Sequence, residues 1–325
     1  MTKKNEQTSL KAMVERYLGW MLKRGDSEET VIVRRRMLRY FNTWAEERSI
    51  IYPQDATREH IESYQQYLFN YRKVDGDPLS WSSQKHRLSA VKQFFSYMAQ
   101  KYIILYNPAS ELQIPKESQH LPKDILTPED VEKIVAQINL KTPEGIRNRC
   151  IIEVLWCTGI RRKALAALQL NDVDFGREIL FISQAKGRKD RYVPLSRRCM
   201  NWIKLYLDEV REILLKQDRD LKTLFVSVTG EALSRQYYTE LVRKYIKDAE
   251  LGKKGSCHLF RHSVATNMLD NGCDIRHIQE MLGHSSLKTT QRYTQVSIQK
   301  LKEAHNLTHP TCVPKGLNRE KKGAK

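Results

Sequence analysis

The chain has 325 residues, 40% hydrophobic and 29% charged, with 56 Lys and Arg against 38 Asp and Glu and a formal net charge of +18. This length suits two domains with real cores, and the apolar content excludes a disordered chain. No apolar run reaches the roughly 18 residues of a membrane span, and Met1-Thr2-Lys3-Lys4-Asn5-Glu6 contains no apolar signal core, so a cytoplasmic protein away from the membrane is expected.

Six cysteines (Cys150, Cys157, Cys199, Cys257, Cys273, Cys312) lie without CxxC spacing, so neither a disulfide framework nor a zinc knuckle is indicated. The excess positive charge calls for a polyanion, and nucleic acid is the leading class. Ribosome-type RNA binding or a generally basic surface would give the same balance.

Residues 8–104 read as four helices. Leu10, Met13, Tyr17 and Met21 recur at helical spacing, as do Met37, Phe41 and Trp44. Asp26 with Glu29 predicts a capping box at the second helix. Ile61, Tyr64 and Leu68 mark a third helix, and Val74-Asp75-Gly76-Asp77-Pro78 breaks the chain before the fourth. The fourth carries Leu88, Val91, Phe95, Met98 and Tyr102 in steps of three and four. The stripes themselves are ordinary helix core. The opposite faces are basic, with Arg34, Arg35, Arg36 and Arg39 on one helix and Lys85, Arg87 and Lys92 on the last. Solvation explains many such runs; the whole-chain charge favours DNA contact here.

A Pro-punctuated stretch from Asn107-Pro108 to Leu121-Pro122 reads as a linker. The expected organisation is a helical domain over 1–113, a linker over 114–124, a second domain over 125–306 and a mobile basic tail over 307–325. Thr127-Pro128-Glu129-Asp130 opens a new helix, with Thr127 as N-cap, Pro128 in the first helical position and Asp130 closing the box. Strands are expected at 178–182 and 191–195, joined across Lys186 to Asp190. Helices follow at about 197–215, 235–249, 259–270 and 275–282.

Cleaving a DNA backbone requires fixed cations beside an anionic phosphate, a nucleophile, and an acid for the leaving oxygen. Metal nucleases meet this need with carboxylate clusters. The turns of the second half instead carry arginines and histidines beside glycines: Thr158-Gly159-Ile160-Arg161, Lys186-Gly187, His258-Leu259-Phe260-Arg261-His262, and Leu282-Gly283-His284-Ser285-Ser286 ahead of Tyr293. His258 and His262 are four apart on a helix, as zinc ligands can be, but Leu259 stands where a metalloprotease carries Glu.

In these segments, and in the Lys-Gly-x-Lys-x-Arg-x-Val-Pro-Leu run at 186–195, the chain resembles the tyrosine recombinases, the integrase and Xer family of site-specific DNA recombinases. The similarity spans about residues 8–304, with every motif in family order. It implies a mainly α fold with a small antiparallel β-sheet. A four-helix, SAM-like core-binding domain and a catalytic domain would close on duplex DNA as a C-shaped clamp.

The resemblance assigns Arg161 and Arg261 to the scissile phosphate, where permanently charged guanidinium forks suit phosphate oxygens. Lys186 corresponds to the general acid for the leaving 5′ oxygen. His258 corresponds to the residue that helps move the phenolic proton, and His284 to a phosphate hydrogen-bond donor. Tyr293, nine residues after His284, corresponds to the nucleophile. A phenol of pKa near 10 needs nearby cations or a base to attack. The implied chemistry exchanges one phosphoester for another through a 3′-phosphotyrosyl bond and a Holliday junction, so neither a cofactor nor a metal is expected. The implied partners are double-stranded DNA carrying short inverted repeats and a tetramer, either of this chain alone or shared with a second recombinase. A helix at about Ser297–His305 would dock on a neighbouring subunit.

One position departs from the family pattern. Ala164 stands where an acidic residue usually follows the first arginine, and a carboxylate there would orient the basic cluster. A strand-swivelling type IB topoisomerase, or a non-cleaving DNA-binding accessory protein, are the rival readings.

Overall fold

The computed structural model describes residues 8–115, 124–183, 190–215 and 221–283. The chain divides into two compact units, Met1–Gln119 and His120–Lys325.

The first unit consists of helices α1 (Leu10–Arg24), α2 (Glu28–Glu46), α3 (Arg58–Asn70) and α4 (Trp81–Gln100). Ser9 caps α1 by accepting from the Ala12 amide at 3.2 Å. Gly25 ends it in the left-handed region (φ 95°), where a side chain would be strained. The Gly25 and Asp26 amides donate to the Leu22 and Met21 carbonyls, so Asp26 belongs to the end of α1. This overturns the expected Asp26 cap on α2: Ser27 takes that role and accepts from the Thr30 amide, while the Asp26 carboxylate pairs with Arg24. The apolar stripes meet in an aromatic core. Phe41 sits edge-on to Tyr64 and Phe95, at centroid distances of 5.0 and 5.8 Å. Such pairs add roughly 0.5–1.5 kcal/mol each beyond area burial.

The second unit begins with α5 (Pro128–Ala136), whose capping box is the one read from Thr127 and Asp130. Next come α6 (Pro143–Thr158), α7 (Arg162–Leu165) and an antiparallel sheet of β1 (Val173–Asp174), β2 (Ile179–Ile182) and β3 (Arg191–Pro194) in the order β1-β2-β3. In the β2–β3 register Leu180 faces Val193 and Ile182 faces Arg191. The chain continues through α8 (Arg197–Leu205), a π turn at Tyr206–Arg211 and a last turn at Glu212–Leu215. It ends, among the described residues, with α9 (Arg235–Asp248), α10 (Cys257–Asp270) and α11 (Ile275–Leu282). β1, α6 as a separate helix and the π turn are additions to the elements expected from sequence.

α6 runs through the middle of this core. Cys150, Ile151, Ile152, Val154 and Leu155 are all buried, as are Arg147, Asn148 and Glu153, so it has no solvent-exposed face. Its one buried carboxylate, Glu153, is held by Arg149 at 2.8 Å and Arg198 at 2.7 Å. Cys257 is a small buried side chain, as expected. Among the described residues, no helix is long and apolar enough to cross a membrane.

Candidate active site

The site forms where the end of α6 meets α10, α11 and β3. Thr158 begins the turn: its hydroxyl donates to the Val154 carbonyl at 2.6 Å and accepts from the Ile160 amide at 3.2 Å. Gly159 follows in the left-handed region (φ 57°), and a Cβ there would lie 2.8 Å from Leu282 Cδ2. Both the backbone and the approach of α11 therefore demand glycine. The turn delivers Arg161 to the start of α7.

Arg161 Nη1 donates to the carbonyls of Leu282 at 3.3 Å and Gly283 at 3.1 Å. Arg261, on the second turn of α10 and 3% exposed, donates to Gly159 O at 2.8 Å and Leu282 O at 2.7 Å. The two arginines, a hundred residues apart in sequence, thus share one carbonyl acceptor. That acceptor lies at the C-terminus of α11, where unpaired carbonyls and the negative end of the helix dipole attract cations. Gly283 closes α11 in the left-handed region (φ 64°), immediately before His284 in sequence.

His258 is exposed on the first turn of α10. Partial desolvation, then the positive charges of Arg261, Arg162 and Arg161, lower its pKa below the usual imidazole value. The ring is therefore neutral at pH 7 and able to accept a proton. Arg162 is drawn aside to the Thr239 hydroxyl at 2.5 Å. Ala164 is half-buried against the core, so a methyl group occupies the position that is acidic in the family pattern.

Arg191 belongs to this cluster and was given no role from sequence. It is 8% exposed and donates Nε–H to the Met281 carbonyl at 2.7 Å. Burial, with a contribution from Arg161, lowers its pKa to about 10. The sequence did hold a signal. Along β3, Arg191 shares the inward phase with Val193, whereas Tyr192 and Pro194 face outward. A charge in the apolar phase of a half-buried strand calls for a reason.

Of the six residues expected to act in catalysis, the structure brings together Arg161, His258 and Arg261. Lys186, His284 and Tyr293 lie outside the described residues, as do the expected helix at 297–305 and the tail. In the first unit, Arg34 and Lys85 line one groove between α2 and α4. Arg36 and Arg39 are exposed. Arg35 pairs with Glu15 at 2.7 Å, Arg87 stacks 3.8 Å above Tyr40, and Lys92 donates to the Leu112 carbonyl at 2.9 Å. Among the described residues, no three His, Cys, Asp or Glu side chains are grouped to hold a metal ion.

Comparison with known proteins agrees with this arrangement. The pattern of the phage integrase family matches residues 124–300, and that of the phage integrase N-terminal SAM-like domain matches 14–104. The chain is 44% identical to tyrosine recombinase XerC 2 of Ralstonia nicotianae over 91% of this chain and 85% of that protein. It is 31% identical to tyrosine recombinase XerD of Lacticaseibacillus casei, over 89% and 95% of the two chains. Among solved structures, XerH recombinase in a post-cleavage complex with a palindromic difH substrate superposes with a TM-score of 0.71 at 25% identity, covering 87% of this chain and 81% of that one. A lambda integrase dimer on a core site shares the fold, with a TM-score of 0.65 at 21% identity over 86% and 97% of the two chains. The chain belongs to the phage integrase family and is a tyrosine-type site-specific recombinase.

Proposed function

We propose that the chain cuts and rejoins DNA at short inverted-repeat sites through a 3′-phosphotyrosyl intermediate and a Holliday junction, working as a tetramer. The observation that carries this reading is the convergence of Arg161 and Arg261 on the end of α11, directly ahead of His284. Two fixed guanidinium groups there can hold the non-bridging oxygens while negative charge grows on them.

In this mechanism the Tyr293 hydroxyl attacks phosphorus and passes its proton toward neutral His258. The bond to the 5′ oxygen breaks, and Lys186 protonates the leaving group. His284 donates to the phosphate. The 5′ hydroxyl of an exchanged strand then attacks the phosphotyrosine, releases the phenol and restores a DNA phosphodiester. One phosphoester bond forms for each one broken, so the energy of the backbone is conserved. The Xer relatives and the difH-bound XerH structure support DNA as substrate. Exposed Arg36 and Arg39, together with Arg34 and Lys85 in the α2–α4 groove, are the best placed of the N-terminal cations to meet DNA phosphates. The working divisions are a DNA-binding domain over 1–113, a linker over 114–124, a catalytic domain over 125–306 and a basic tail over 307–325.

The test is a nicked duplex carrying a pair of inverted repeats that the native chain binds specifically. Its short 5′ end diffuses away after cleavage and traps the covalent complex. The native chain should yield a protein–DNA adduct resistant to SDS, and Tyr293→Phe should yield none. Firm site-specific binding without any adduct would replace this reading with that of a non-cleaving accessory protein.

A further inference from the structure

Arg191 is a buried cation with an incomplete set of partners. Its Nε–H is satisfied by Met281 O. Nη1 and Nη2 are buried and have no hydrogen-bond partner among the described residues. An unpaired buried charge is costly, and an apolar side chain of similar volume would be more stable in its place. Its neighbours make the position more unfavourable still, because Arg161 repels it.

The position also has a regular geometry. Arg191 takes the Met281 carbonyl, Arg161 takes Leu282 and Gly283, and Arg261 takes Leu282. Three guanidinium groups from three separate segments therefore grip three successive carbonyls at the end of α11. The partial negative charge of a helix terminus, about half an elementary charge, does not balance the Arg191 guanidinium, whose Nη1 and Nη2 stay without a partner among the described residues. That charge is a standing demand for an anion at this place.

We propose that Arg191 is a third cation of the phosphate pocket: it fixes the end of α11 through Met281 and lends its uncompensated charge to the scissile phosphodiester held by Arg161 and Arg261. This rests on the recombinase reading of the site. Arg191 is a positioning residue that acts through the α11 terminus and through the electrostatic field at Arg161. It contributes most when the phosphate carries its charge. The absence of a carboxylate at Ala164 fits the same logic, since an acid there would neutralise part of the field.

The experiment compares native chain, Arg191→Met and Arg191→Lys on two nicked duplexes. One has an ordinary scissile phosphate and the other a neutral methylphosphonate. Arg191→Met should slow adduct formation about 10–100-fold on the phosphodiester, the range seen when groups that support reacting residues are removed. It should have little effect on the methylphosphonate. Arg191→Lys keeps the charge and should recover most of the loss. Equal losses on both duplexes, or no loss on either, would overturn the proposal. A parallel measurement needs no cleavage. Inorganic phosphate at about ten times its Kd should raise the unfolding temperature of the native chain by about 3–6 °C. That rise should largely vanish in Arg191→Met; an undiminished rise would also overturn the proposal. If the native chain cuts neither duplex, the recombination reading fails, and the phosphate shift alone decides the role of Arg191.

Discussion

Replacing Gly159 by alanine tests how closely the turn before Arg161 is tied to α11. The residue sits at φ 57°, and the new Cβ would lie 2.8 Å from Leu282 Cδ2 and 3.5 Å from Val264 Cγ1. An L-residue in the left-handed region costs about 1–2 kcal/mol. Overpacking adds about 1–3 kcal/mol, because Leu282 is fully buried and cannot simply swing away. The sum is about 2–5 kcal/mol. For a unit of this size each kcal/mol lowers the melting temperature by about 2–4 °C, so a fall of roughly 4–20 °C is expected. Circular dichroism during heating measures it. Activity should suffer as well, since the displaced Leu282 carries the carbonyl shared by Arg161 and Arg261. A variant that melts within about 1 °C of the native chain and forms adduct at the native rate would refute the close-approach argument.

Ser263→Ala removes the hydroxyl that accepts from the buried Leu126 amide at 2.7 Å, so it should cost about 1–3 kcal/mol in urea unfolding; an unchanged midpoint would show that the start of α5 is held elsewhere. DNA affinity should fall linearly with salt on a log–log plot, at a slope of about −0.9 per phosphate contact, and Arg36→Ala or Arg39→Ala should each reduce that slope by about one contact. A nearly flat salt titration would count against a basic DNA surface. The His258 pKa is lowered, so its neutral, proton-accepting form persists down to below the ordinary value of about 6.5. Adduct formation should hold steady from pH 8 toward 6.5 and fall at more acidic pH, and His258→Asn should lose that acidic limb along with most of the rate. An acidic limb centred above pH 7 would contradict the assignment.

The apolar periodicity made the first unit legible because each helix has one core-facing stripe: Leu88, Val91, Phe95 and Met98 are all buried, whereas Tyr102, expected to continue the stripe, lies past the end of α4 at Gln100, in the left-handed region (φ 55°), and is 95% exposed. The Thr127 box was equally readable, since its side-chain pattern is local and complete. Asp26 misled because two cap signals overlap. Gly25 ends one helix with the same residues that precede the next, and the backbone of Asp26 is used by the first. α6 escaped separate notice because it is buried on every side, with Arg147, Asn148 and Glu153 inside the core alongside the apolar residues, so periodicity has no exposed face to contrast. Arg161, His258 and Arg261 are legible through motifs, but the meeting of Arg161 and Arg261 at the Leu282 carbonyl depends on tertiary contacts that no spacing encodes. Arg191 lies inside the 186–195 motif, where its identity alone suggests a surface cation, and only the phase of β3 shows it facing inward.

The most direct test of the account is the identity of the attacking oxygen. Trapped adduct should be digested with nuclease and protease and the modified peptide sequenced by mass spectrometry. The account predicts a nucleotide joined through its 3′ phosphate to Tyr293 and to no other residue. A nucleotide on any other side chain, or a 5′ linkage at Tyr293, would contradict it.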